Sequence, residues 1–286
     1  MPAEAFVEVS DVQRARDSYR RSRARRASTV SVLSTLVVAA LTVAIVTASP
    51  GWERTKQSFF DWAIAKEYFP SILEGLWLNL RILVVAALLI LLLGLLLATL
   101  RTLRGPVFTP LRLFATVYVD VFRGMPLIIL LYIVGFGVPG LRLQGVPTDA
   151  AVLGTVALVL TYSAYVAEVF RAGIESVHPS QRAAARALGL SYRQSMRLVV
   201  LPQAIRRVAP PLLNDLVALQ KDVGLVSVLG AVDAVRAAQI ASAETYNYTP
   251  YVMAGLVFIA LAVPTVRLAD WVTARARRRQ ETGAVL

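Results

Sequence analysis

ILVVAALLILLLGLLLATL occupies residues 82–100 without one charged side chain. A bilayer core of about 30 Å needs about 20 apolar residues of helix to cross it, so this run reads as a membrane span. The same test picks out residues 32–48, 124–141, 150–167 and 245–266, all uncharged. A sixth stretch, 208–232 (VAPPLLNDLVALQKDVGLVSVLGAV), is apolar but holds Asp215, Lys221 and Asp222. It counts as a span because the alternation of sides along the chain requires it. The expected fold is therefore all-α: a polytopic membrane protein of six transmembrane helices.

Composition agrees. Of the 286 residues, 57% are apolar and 17% charged, whereas soluble domains carry roughly 45–50% and about 25%. The absence of cysteine excludes a disulfide framework, a thiolate metal site and a cysteine nucleophile. A single histidine, His178, excludes a His-rich metal centre. The net charge of +12 is compatible with nucleic acid or an anionic membrane surface. Its distribution decides for the membrane, because cytoplasmic loops hold the excess of Lys and Arg. With the N-terminus inside, 21 basic residues fall in inside segments, including Arg104, and 5 in outside ones. Both termini are then cytoplasmic, and nucleic acid is not an expected partner. Residues 1–30 and 273–286 read as basic cytoplasmic tails. Residues 31–70 read as an extra N-terminal helix and an outer interfacial segment, and 71–272 as the main transmembrane domain. The aromatic-rich stretch 49–75 is expected at the outer interface and 233–244 outside. The first span has a second reading as a signal peptide with Val46-Thr47-Ala48 as its cleavage site. Against it stand a basic leader that is long and a run of full membrane length.

One loop is long. Residues 171–210 separate the fourth and fifth spans on the cytoplasmic side. Ser180 is expected to cap a helix through an orphan backbone N–H, Ala183, Ala184, Ala185, Ala187 and Leu188 to sustain it, and Gly189 to close it. Ser191 is expected to cap a second helix over 192–201, stopped by Pro202. By itself this is equally well a solvated surface loop.

The stretch QRAAARALGLSYRQSMRLVVLPQA (181–204) closely resembles the EAA loop of ATP-binding-cassette (ABC) importer permeases. YVDVFRGMPLIILLYIVGFGVP (118–139), SAYVAEVFRAGIESV (163–177) and LQKDVGLVSVLG (219–230) resemble the polar-amino-acid branch of that family. The likeness covers about residues 71–272. It implies the type I importer permease fold, a five-helix core to which this chain adds an N-terminal helix, in the cytoplasmic membrane of a prokaryote. It also implies that 171–210 carries a coupling helix docking on an ATPase subunit, through Ser180, Arg182, Ala183, Ala184, Arg186, Gly189, Leu190 and Arg193. The further implied partners are a second permease (self or homologue), an extracytoplasmic solute-binding protein and a polar amino acid. Two positions depart from the family pattern. Ala183 stands where the family's glutamate would complete a capping box with Ser180, and Val223-Gly224 stands where small hydroxyl residues are commoner.

The chain lacks a G-x-x-x-x-G-K-[ST] phosphate loop. No cofactor is expected on it, and ATP with Mg belongs on the partner ATPase. Ionisable groups at membrane depth cost about 2.5–3.5 kcal/mol or more, so each needs a reason. Asn214 and Lys221 share one helix face, and Asp215 and Asp222 the adjacent one. Lys221 and Asp222 either line a substrate path or pair internally. Asp120 and Arg123, three apart, either pair at a bent helix or face the path. Glu168 with Arg171 reads as an anchor or a gate. Tyr162 and Ser163 complete the candidate path. The expected function is a permease subunit that carries a polar amino acid and takes its energy from a separate ATPase. The alternatives are a membrane-embedded lipid-modifying enzyme and an ATP-independent channel. The first lacks a dense set of catalytic carboxylates, since only Glu168, Glu175 and His178 lie on the cytoplasmic side.

Overall fold

A computed structural model describes residues 11–103 and 105–283. The first ten residues of the expected tail, Arg104 and residues 284–286 lie outside them. The chain forms two compact units, Met1–Gln57 and Ser58–Leu286.

In the first unit, α1 runs unbroken over Asp11–Thr47. The helix passes without a break from the expected tail into the expected span, and no Gly or Pro falls between residues 11 and 47. The apolar part, Arg26–Thr47, has none of its window buried. Its hydroxyls are satisfied within the helix: Thr35 Oγ1 donates to Ser31 O and Thr42 Oγ1 to Val38 O, both at 2.8 Å. Lipid offers no partners of its own, so this is what a span requires. Pro50 and Gly51 follow, and α2 spans Trp52–Phe59.

The larger unit is built on α3 (Trp62–Thr102), whose Asp61 cap accepts from the Ala63 amide at 2.9 Å. Residues 62–75 of the expected outer interfacial stretch are helical and form the first part of α3. Next come α4 (Thr109–Gly124), α5 (Leu127–Tyr132) and, after a wide π turn over Ile133–Gly137, α6 (Val138–Gly140). The two halves bend by 105° at Met125-Pro126. Proline lacks a donor and forces the preceding residue out of helical geometry, and Met125 is extended at φ −95°, ψ 130°. A straight span over 124–141 is thus replaced by a bent pair beginning at Thr109. α7 covers Ala150–Glu175, capped by Asp149. α8 (Pro179–Ala187) is followed by α9 (Tyr192–Ser195), a π turn (Met196–Val200) and α10 (Leu201–Asp222). Pro202 does not stop this helix. In the π turn Leu201 N–H donates five residues back, to Met196 O, and the wider turn makes room for the proline ring. A 3₁₀ turn (Val223–Leu229) leads to α11 (Ala234–Thr245) and then α12 (Thr249–Gly283).

Residues 233–244, expected outside, are mostly α11. Its Ala234, Ala237, Ala238 and Ala241 are buried at helical spacing, and the first three cluster with Ile72 of α3. Small residues allow the close approach on which helix packing in membranes depends. At Gly75 the approach is closest: a Cβ there would stand 2.4 Å from the Asp233 carbonyl carbon. Beside it Asn79, 1% exposed, joins three segments. Its Nδ2 donates to Asp233 Oδ2 at 3.0 Å and to Val223 O at 3.3 Å, and its Oδ1 accepts from the Ala234 amide at 3.1 Å.

Among the described residues, four helices are long and apolar enough to cross a membrane, or six with each bent pair as one span. The main core, with Ile82, Ile90, Leu131, Leu158, Leu219 and Val226, lies between α3, α5, α7, α10 and the 3₁₀ turn after α10.

Candidate functional site

The loop after α7 folds as a compact element. His178, not Ser180, caps α8: its Nδ1 accepts from the Ser180 amide at 3.2 Å and pairs with Ser180 Oγ at 2.7 Å. Pro179 takes the first helical position, where its missing N–H costs nothing. The cap therefore lies two residues earlier than expected, and a glutamate at 183 could not box with it. The other end is as expected. Gly189 has φ +79°, Leu190 N–H donates to Ala185 O at 3.1 Å and Gly189 N–H to Arg186 O at 2.9 Å. These are the two bonds of a Schellman closure, which glycine adopts without strain. Ser191 and Gln194 form a reciprocal capping box on α9.

This geometry sorts the predicted coupling residues. Ala183, Ala184, Arg186, Gly189 and Arg193 are exposed, Leu190 is half-buried, and Leu188 at the tip is 81% exposed. Arg182, expected among the coupling residues, is half-buried and engaged within the chain. Its Nη2 donates to Ile174 O at 2.5 Å, which ties α8 to the end of α7. Arg207 of α10 holds the same region through Ser176 O.

Above this element lies an ionic cluster. Glu168 accepts from Arg171 and, at 2.8 Å, from Arg101 of α3, with Arg123 of α4 3.9 Å away. Arg171 also pairs with Glu175. The Glu168–Arg171 pair thus joins three helices.

Deeper, a cavity of about 440 Å³ opens at the break between α4 and α5. Arg123, Thr161, Tyr162, Tyr165, Asp215 and Asp222 supply its polar side chains. Tyr162 OH donates to Asp222 Oδ2 at 2.7 Å. The Arg123 guanidinium lies 5.7 Å from the Tyr165 ring centroid. Asp215 Oδ2 and Thr161 Oγ1 are buried without a hydrogen-bond partner.

Of the predicted path residues, Arg123, Tyr162 and Asp222 meet here. The rest do not. Asp120 is exposed and forms no pair with Arg123. Ser163, fully buried, is 2.9 Å from Tyr118 OH. Glu168 belongs to the ionic cluster. Asn214 and Lys221 share an exposed face of α10, and among the described residues Lys221 has no acidic partner, which removes the internal-pairing reading. Thr161, Tyr165 and Asp215 complete the cavity. The seven-residue spacing of Asp215 and Asp222 was the available signal for Asp215.

Residues 91–278 match the family described as the binding-protein-dependent transport system inner membrane component. The chain belongs to this family. The permease is 40% identical over 204 residues to the arginine transport system permease protein ArtQ of Bacillus subtilis (strain 168), covering 71% of this chain and 91% of that one. It is 40% identical over 185 residues to the putative glutamine transport system permease protein GlnP of Rickettsia prowazekii (strain Madrid E), covering 64% and 83%. Among solved structures, an amino acid ABC transporter with histidines superposes with a TM-score of 0.69 at 33% identity, over 75% of this chain and 98% of that one. The permease therefore has the type I importer fold and is a transmembrane subunit of an ABC transporter, not itself an enzyme. Neither the lipid-modifying enzyme nor the ATP-independent channel finds support in these relatives. Family membership implies in general an ATPase partner and a solute-binding protein.

Proposed function

We propose that the permease forms the path for a polar amino acid across a prokaryotic cytoplasmic membrane, working with a second permease, self or homologous. A separate ATPase holding ATP and Mg drives it through the turn at residues 179–190. An extracytoplasmic binding protein delivers the solute. The Schellman-closed turn carries this reading. It presents exposed Ala183, Ala184 and Leu188 with Arg186 and Arg193 exposed on the same element, and Arg182 ties that element to the membrane helix α7. Close approach by small side chains and Arg forks seeking carboxylates suit a protein partner. Amino acid permeases among the relatives support the substrate class.

Gly189→Val tests the coupling turn. A β-branched residue resists φ +79°, at about 1–2 kcal/mol, and nothing within 4 Å would clash with its Cβ. The variant is expected to insert normally but lose ATPase binding or substrate-stimulated hydrolysis. Wild-type levels of both would remove the coupling role.

Sidedness is tested in this cysteine-free chain with Leu188→Cys and Tyr246→Cys, at residues 81% and 92% exposed. An impermeant thiol reagent should label the Tyr246→Cys variant from outside, and the Leu188→Cys variant only after the membrane is opened. Labelling of both variants from one side would overturn the six-span topology.

A further inference from the structure

The charge balance of the membrane cavity is uneven. Two carboxylates, Asp215 and Asp222, face it against one guanidinium, Arg123. That guanidinium already has Glu168 3.9 Å away. Among the described residues neither Asp215 nor Asp222 forms an ion pair. Asp222 has one oxygen occupied by Tyr162 OH at 2.7 Å. Asp215 Oδ2 is buried with no partner, and so is the hydroxyl of Thr161, a residue only 4% exposed. Buried polar groups without partners are rare in native proteins and call for an explanation. A buried carboxylate also needs a cation or it is costly to keep.

We propose that the missing partner is the transported solute, and that the cavity is built for a cationic amino acid. This rests on the reading of the permease as an amino acid carrier. Such a ligand has one carboxylate and two cationic groups, which mirrors one guanidinium and two carboxylates. The solute's carboxylate lies towards Arg123 and its two cationic groups towards Asp215 and Asp222. Thr161 Oγ1 accepts a further N–H. An acidic amino acid would bring two carboxylates to a site already short of positive charge. A neutral one would leave either Asp215 or Asp222 unpaired. Tyr162, which donates to Asp222, acts as a positioning residue for that carboxylate.

The test uses the full-length permease co-purified with its ATPase in lipid nanodiscs. Binding of radiolabelled L-arginine is measured with L-lysine, L-citrulline, L-glutamine and L-glutamate as competitors. L-citrulline is decisive because it keeps arginine's shape and lacks the side-chain charge. Arginine and lysine are expected to bind at least about tenfold more tightly than citrulline, since breaking a desolvated charge pair costs at least that much. Asp215→Asn should bring arginine to the level of citrulline while citrulline binding persists. Asp222→Asn, which keeps an acceptor for Tyr162, should narrow the same ratio and guards against misfolding of the first variant. Equal binding of arginine and citrulline, or a ratio unchanged in both variants, overturns the charge assignment. Preferred binding of glutamine or glutamate does so too, but leaves the amino acid reading standing. Binding of none of the five would overturn both.

Discussion

Asn79→Leu is expected to leave little folded permease in the membrane. Leucine keeps asparagine's branching at Cγ and opens no cavity, though its bulkier methyls cannot sit at the 3.0–3.3 Å hydrogen-bond distances. What is lost is a buried junction. Asp233, 0% exposed, loses the donor to Oδ2, Val223 O loses its side-chain donor, and the Ala234 amide loses its acceptor. Each buried group left without a partner costs about 1–3 kcal/mol. Three together are a large part of a typical stability of about 5–15 kcal/mol. These bonds also seat α11 on α3, next to the contact at Gly75 where no Cβ fits. Yield of monodisperse protein in detergent and its melting midpoint should both fall. Replacing Asp233 by leucine as well should recover part of the loss, since removing both partners is cheaper than removing one. Recovery cannot be full, because Asp233 Oδ1 also caps α11 by accepting from the Arg236 amide at 2.8 Å. Unchanged yield and melting in Asn79→Leu would show that this junction does not hold the fold.

The second large effect is expected from Glu168→Gln. One carboxylate serves Arg101, Arg171 and, more distantly, Arg123. The Arg101 and Glu168 side chains are only 15% and 21% exposed. Removing one partner of a fully buried pair costs about 3–5 kcal/mol, and partial exposure reduces this to roughly 2 kcal/mol. The change falls where three helices meet, nearly two turns above the tie between α7 and α8. The permease should still assemble, with a lower melting midpoint, and transport per ATP hydrolysed should drop. Arg101→Gln should have a similar effect on stability. The double variant should lose clearly less than the sum of the two, because coupled residues do not add. Strictly additive losses would mean that Arg101 and Glu168 act independently.

Much of this protein is a local property of its chain. The spans at 82–100 and 150–167 were legible because a bilayer selects for uninterrupted apolar length, which needs no knowledge of neighbours. The glycine closure at 189 and the Ser191 cap were legible because capping is settled within a few residues. Even locally, competition between two caps can mislead. Ser180 is the stronger capping residue by type, yet Pro179 needs the first helical position, which moves the cap to His178.

From sequence alone followed the membrane class, an expected six spans, the expected sides of the loops and the glycine-closed turn at residue 189. Each depends on composition or on residues within one or two helical turns. Tertiary structure decided what depends on distant partners. Pro202 reads as a stop, yet a π turn carries the helix past it. Residues 233–244 read only as an outside segment between two spans. They form a helix because an alanine stripe packs on α3, more than 150 residues earlier, where Asn79 receives Ala234. Lys221 and Asp222 are neighbours in sequence, but the turn of the helix leaves Lys221 exposed and sets Asp222 against Tyr162, 60 residues away. The cavity's charge balance is therefore a sum over α4, α7 and α10, and only their packing brings its terms together.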